Sequence, residues 1–167
     1  MINILILEDT QSDFEIILNY IFSLNKEGGM NIYPNIDSKG ENYFEVNSYG
    51  TDWHYIQETF EKKYSSGASH INDFFKEIID VYEGVNIYIV DINLINLEDR
   101  LGIKFLEYLD KNTKTEAHKH YIIISTDTYA GEINIDENKY SFISKYNSIS
   151  NIKNELIYRV SRIIEKI

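Results

Sequence analysis

The sequence predicts an α/β fold: an open parallel sheet with helices on both faces and its chemistry gathered along one edge. Three observations carry this. Short apolar, β-branched runs alternate along the chain with segments of helical periodicity, the pattern of a βα succession. One run, VNIYIV at residues 85–90, is apolar on both faces, as a strand in a helix-covered parallel sheet must be. Each run also ends on a polar, chemically capable residue, and in open parallel sheets ligands gather at the carboxyl ends of the strands.

Composition bounds the possibilities. The 167 residues suit one domain with a proper core, and 43% hydrophobic residues exclude wholesale disorder. Cysteine is absent, which removes disulfides, thiol nucleophiles and thiolate metal sites and is compatible with a reducing compartment. The opening MINILILED is too short and too acidic for a signal peptide, and no segment reaches membrane-spanning length. The expectation is a soluble cytoplasmic protein that does not engage a membrane. A net charge of −11, with no cluster of Lys and Arg, argues against direct nucleic-acid contact.

In chain order, Ile2–Leu7 reads as a first strand ending in the acid pair Glu8 and Asp9. Ser12 and Glu15 have capping-box spacing, and Phe14, Ile17, Ile21 and Leu24 mark a first helix. From Asn25 to Ser69 the chain carries most of its glycines and its only proline, Pro34. Met30–Ile36 and Asn42–Tyr49 are candidate strands around the turn-like DSKGE, giving either a hairpin or one strand plus an excursion. Thr51–Tyr64 reads as helical, with Trp53 on its apolar face, and a further helix follows the breaker SSGAS, from Ser69 to Tyr82. The central strand ends on Asp91. After the loop NLINLEDRLG comes a helix from Gly102 to Asn112, then a strand YIII ending in Ser125 and Thr126. Residues 127–140 favour at most a short or irregular helix. Tyr140–Ser144 forms the last strand, followed at once by Lys145. The final helix, Ser148–Ile167, carries Ile149, Ile152, Leu156, Val160 and Ile163 on one stripe, and Glu155 with Arg159 can pair on its outer face.

Taken singly, these strand-end residues have ordinary explanations. An acid pair can favour a helix dipole, Ser125–Thr126 can cap a turn, Lys145 can be a solvated loop residue, and Phe142 can be core. Together, on one sheet edge, three carboxylates repel one another unless a cation neutralises them. Oxygen-only ligands suit Mg²⁺. With a lysine and a hydroxyl beside them they provide what a transferred phosphoryl group needs, with Asp91 as the nucleophile. The four histidines (His54, His70, His118, His120) have no metal-ligand spacing and read as surface residues.

In this arrangement the chain resembles a response-regulator receiver domain. The matching stretches are LILED (Glu8, Asp9), IYIVDINL (Asp91), IIIST (Ser125) and FISK (Lys145). The resemblance implies a flavodoxin-like (βα)5 three-layer sandwich with strand order 2-1-3-4-5, spanning residues 1–167 as one domain. Residues 25–69 are then an atypical insertion that includes the second-strand region. It implies Asp91 as phospho-acceptor and Mg²⁺ held by Glu8, Asp9, Asp91 and the backbone carbonyl of Asn93. It further implies Lys145 and Ser125 on the phosphoryl oxygens, Ser125 and Phe142 as switch residues, and Gly102 as the glycine that opens the third helix.

The chain also departs from the family. Tyr146 stands where proline usually follows the lysine, Ile95 stands near another usual proline, and the acceptor loop is longer. The expected function is a single-domain response regulator that accepts phosphate from a histidine kinase or phosphotransfer protein and signals by protein contact. It would not turn over a separate substrate, and the resemblance admits a homodimer. The alternative is a receiver-like interaction module that works without phosphate. A Mg²⁺-dependent phosphatase or nuclease is disfavoured, because the common aspartyl type needs a second acid two residues after the nucleophile and Asn93 is not one.

Overall fold

Strand β1 (Ile2–Leu7) is apolar on both faces, and the fold uses both. A computed structural model describes residues 1–25, 28–33, 70–94, 99–113, 119–126 and 131–167. Five strands, β1, β2 (Met30–Tyr33), β3 (Ile87–Asp91), β4 (His120–Ser125) and β5 (Tyr140–Ser144), form one sheet in the order 2-1-3-4-5. Every neighbouring pair is parallel. The described helices are α1 (Gln11–Phe22), α2 (Ile71–Val81), α3 (Leu101–Asn112) and α4 (Ile149–Ile164).

Alternation along the strands sorts the core into two layers. Ile4, Ile6, Ile87, Ile89, Ile122, Ile124 and Ile143 face α1 and α4, where Phe14, Leu18, Ile21, Leu156 and Val160 complete the cluster. Leu5, Leu7, Tyr88, Val90, Tyr121 and Ile123 face α2 and α3, packing on Phe75, Ile78, Phe105, Leu106 and Leu109. Each fully buried Ile or Leu contributes about 1.5–3 kcal/mol, so a one-residue slip in β1 or β3 would cost both layers at once. The expected three-layer sandwich and strand order are therefore what forms.

Two expectations need correction. The Ser12–Glu15 capping box does not form, because α1 begins at Gln11 with Thr10 as its N-cap and no side-chain cap. The reason is local: the Thr10 N–H is taken by Glu8 Oε1 at 3.2 Å, and Phe14 N–H closes the first turn on the Thr10 carbonyl. The helix thus starts directly from the acidic turn and leaves Ser12 and Glu15 inside its first turns. His120 also differs from a surface reading, being half-buried at the start of β4.

Met30–Tyr33 pairs with β1 as the second sheet strand. The candidate strand Asn42–Tyr49, the helix Thr51–Tyr64, Trp53, His54, Ile95 and His118 lie outside the described residues. The Glu155–Arg159 pair forms, at 3.4 Å. Residues 131–139 carry no helix, in keeping with the weak helical signal there. No helix among the described residues is long and apolar enough to cross a membrane.

Gly102 shows how tightly the carboxyl end of β3 is packed. A Cβ at this position would sit 1.8 Å from the Asp91 carbonyl oxygen and 2.9 Å from Val90 Cγ1. The obstacle is backbone and cannot rotate away. Gly102→Ala should therefore destabilise the protein by at least the upper end of the about 1–3 kcal/mol typical of overpacking, read as a fall in the urea unfolding midpoint. A midpoint unchanged from wild type would mean that α3 can lift off β3 freely.

Candidate functional site

Because the strands are parallel and in register, their carboxyl ends meet on one edge. Leu7 pairs with Val90, Asp91 with Ile124, and Ser125 with Ser144. The residues that follow or end these strands, Glu8–Asp9, Asp91, Ser125 and Lys145, are brought together there as the sequence predicts. Glu8 and Asp91 are buried, at 1% and 5% exposure, and Ser125 is fully buried. Carboxylate oxygens of Glu8, Asp9 and Asp91 lie within 4.8 Å of one another.

Lys145 is the counter-charge. Its ammonium donates to Glu8 Oε2 at 2.7 Å and to Asp13 Oδ2 at 2.9 Å. It also lies 3.2 Å from Asp91 Oδ1. That last approach is within ion-pair range but off the angle of a hydrogen bond, so Asp91 Oδ1 is buried without a hydrogen-bond donor. The other oxygen, Oδ2, accepts from the Asn93 N–H at 2.9 Å. The Asn93 N–H thus holds the Asp91 carboxylate, while the Asn93 carbonyl, the group to which the resemblance points, takes no part in that bond. The backbone N–H of Lys145 donates to the Ser125 carbonyl at 2.6 Å, which fixes the root of the lysine beside the hydroxyl residue.

Phe142 faces the α2/α3 layer, half-buried, opposite Ile123. By strand alternation it shares that sheet face with Ser125. Tyr146, in the usual proline position, is 75% exposed. Asp13 is the member of the site that sequence reasoning missed. Its signal was present: it lies in the first turn of a helix whose N-terminus starts at the acid pair.

Burial decides the electrostatics. It pushes the Glu8 carboxyl up from 4.5 to about 8, helped by the Asp91 charge and opposed by Lys145 and the Thr10 N–H. Burial likewise raises Asp91, with Lys145 and the Asn93 N–H opposing. For Lys145 burial works against the charge, but Glu8 and Asp91 outweigh it and hold the ammonium above its ordinary 10.5. An all-oxygen donor set, crowded and anionic, with one buried carboxylate oxygen lacking a donor, fits a hard divalent cation.

These shifts set a pH dependence. Between pH 4.5 and about 8 folded Glu8 keeps a proton that the unfolded chain has lost, so stability falls as pH rises through that window. Raised Asp91 adds a slope of the same sign, while Lys145 stays charged throughout. Thermal melts of metal-free protein should show the midpoint falling from pH 5 to pH 8, and Glu8→Gln should make that slope shallower. A wild-type midpoint that rises over the window would contradict the burial argument.

No protein-family model matches the sequence, and no curated protein matches it. Solved structures do. The Mn(2+)-bound form of response regulator Rcp1 is similar at a TM-score of 0.55 and 12% identity, over 100% of this chain and 97% of that one. A response regulator receiver domain protein (bh3024) from Bacillus halodurans C-125 aligns over 94% and 95% of the two chains, with 15% identity and a TM-score of 0.48. Response regulator RPA3017, in red light signaling of R. palustris, aligns over 95% and 91% at 14% identity, also with 0.48. At such identities the shared property is architecture, carried by the likeness to Rcp1. Sheet order, layering and that likeness agree: the chain has the fold of a response-regulator receiver domain.

Proposed function

We propose that this chain is a response regulator whose Asp91 accepts a phosphoryl group from a histidine kinase or histidine phosphotransfer protein, with output through protein contact. The observation that carries the proposal is Asp91 Oδ1, a buried carboxylate oxygen without a hydrogen-bond donor, 3.2 Å from an ammonium. It sits with two further carboxylates at the carboxyl edge of the sheet. In the transfer, a carboxylate oxygen of Asp91 forms a bond to phosphorus as the bond from phosphorus to the donor's imidazole nitrogen breaks. The imidazole, which carries a proton on its other ring nitrogen, takes the bonding pair and leaves neutral, and Asp91 becomes an acyl phosphate.

Glu8, Asp9 and Asp91 are the residues that would hold Mg²⁺, which when bound supplies charge neutralisation for the phosphoryl oxygens. The divalent metal of the Rcp1 structure is consistent with that donor set. Lys145 orients and neutralises: its flexible stem lets the ammonium follow the charge from the carboxylates to a phosphoryl oxygen. The Ser125 hydroxyl, buried at the end of β4, would turn toward the same group. Phe142, on that face of the neighbouring strand, would move with it and shift a two-state equilibrium at β4 and β5.

A second reading, an interaction module that works without phosphate, is favoured by one observation: Lys145 alone already bridges Glu8, Asp13 and Asp91. Exposure to acetyl phosphate with Mg²⁺ should label wild-type protein, and Asp91→Asn should reduce labelling to background. Undiminished labelling of that variant would move the acceptor elsewhere. If neither protein is labelled and beryllofluoride with Mg²⁺ leaves the amide shifts around Asp91 unmoved, the phosphate-independent reading takes its place.

A further inference from the structure

We infer that Asp13 is a positioning residue: a parking partner that receives the Lys145 ammonium when Glu8 and Asp91 turn to a divalent cation. The inference rests on the cation-binding part of the function proposed above. An ammonium has three N–H donors. Here one is used on Glu8 at 2.7 Å and one on Asp13 at 2.9 Å, while Asp91 lies close but unbonded. Glu8 and Asp91 belong to the carboxylate cluster, and Asp13 does not.

The Lys145 partners therefore fall into two kinds. Glu8 and Asp91 are buried and would be claimed by a cation. Asp13 stands at 35% side-chain exposure, on the solvent side of the ammonium. Its place on α1 is fixed, because Phe14 and Ile17 beside it are buried in the core. Asp13 and Lys145 also line the same cleft, about 330 Å³, with Ile16, Tyr20, Thr126 and Ile152. The ammonium can thus shift toward Asp13 without leaving the cleft or losing its last charged partner. Without Asp13 the lysine would have to compete with the cation for Glu8 and Asp91, or stand partly buried and unpaired.

The test is a double-mutant cycle read by Mg²⁺ affinity, from calorimetry and from amide shifts of unphosphorylated protein. Asp13→Asn should weaken Mg²⁺ binding by about three- to tenfold, in the lower part of the range of couplings between contacting groups. In a Lys145→Gln background the same substitution should change affinity by less than about twofold, because the competitor is gone. A general loss of negative charge, or a structural role for Asp13, would give the same factor in both backgrounds, and that result overturns the inference alone. Lys145→Met serves as a second background should the Gln variant fail to fold, and urea unfolding of Asp13→Asn checks that α1 stays in place. Wild-type protein that binds no Mg²⁺ would overturn both the inference and the cation reading. Failure of acetyl phosphate labelling with Mg²⁺ binding intact would remove only the phosphoryl-transfer proposal.

Discussion

A single ammonium, Lys145 Nζ, holds the acidic edge of this sheet together. It stands 2.7, 2.9 and 3.2 Å from carboxylate oxygens of Glu8, Asp13 and Asp91, which come from the end of β1, the start of α1 and the end of β3. Two of those carboxylates are nearly inaccessible to water, and burial and their mutual repulsion both disfavour their charged forms. One cation against three acids leaves that penalty incompletely balanced. The raised proton affinity of Glu8 comes first from its burial and then from the Asp91 charge beside it. A site in this condition gains stability from anything that brings further positive charge or removes negative charge, which is the physical sense in which it is ready for a metal ion.

Backbone geometry places the charges so closely. The sheet register aligns Leu7 with Val90 and Ser125 with Ser144, so the acidic turn, Asp91 and the lysine leave their strands at nearly the same level. The Lys145 N–H to Ser125 carbonyl bond then ties the lysine's root to β4. On the other side Gly102 lets α3 press against the Asp91 carbonyl, at a distance that no side chain would allow. Arg100, just before α3, adopts a left-handed conformation with φ of 48°, so the turn into this contact is itself strained. Asp91 is thus held by backbone at its carbonyl, against Gly102, and at its carboxylate, through the Asn93 N–H.

Much of this was legible in the sequence, for reasons that differ by residue. Glu8–Asp9, Asp91, Ser125 and Lys145 could be placed because each closes an apolar run whose strand character is plain, and parallel topology then brings the ends together. Gly102 could be singled out only through resemblance, since nothing in its own context tells of the Asp91 carbonyl beside it. Asp13 escaped because a carboxylate in the first turn of a helix already has an ordinary explanation in the helix dipole. The capping box at Ser12 and Glu15 misled for a related reason: the spacing was right, but Glu8 Oε1 had taken the Thr10 N–H and set the helix going earlier. The motif loses here to a contact between residues two apart in the turn before the helix, which the spacing of Ser12 and Glu15 alone does not reveal.

The irregular segment 131–139 carries the same logic to the far side of the sheet. Ile133 and Ile135 pack onto the α2/α3 core layer from a chain with no helical structure. Its position is set by acids of α3: Glu107 Oε1 accepts from the Asn134 N–H at 2.8 Å, and Asp110 Oδ1 accepts from Lys139 at 2.7 Å and from the Tyr121 hydroxyl at 3.2 Å. These contacts fix the entry to β5, and β5 delivers Lys145 to the site. The helix that meets the Asp91 carbonyl at its first turn therefore also anchors, through its later turns, the strand bearing the counter-charge.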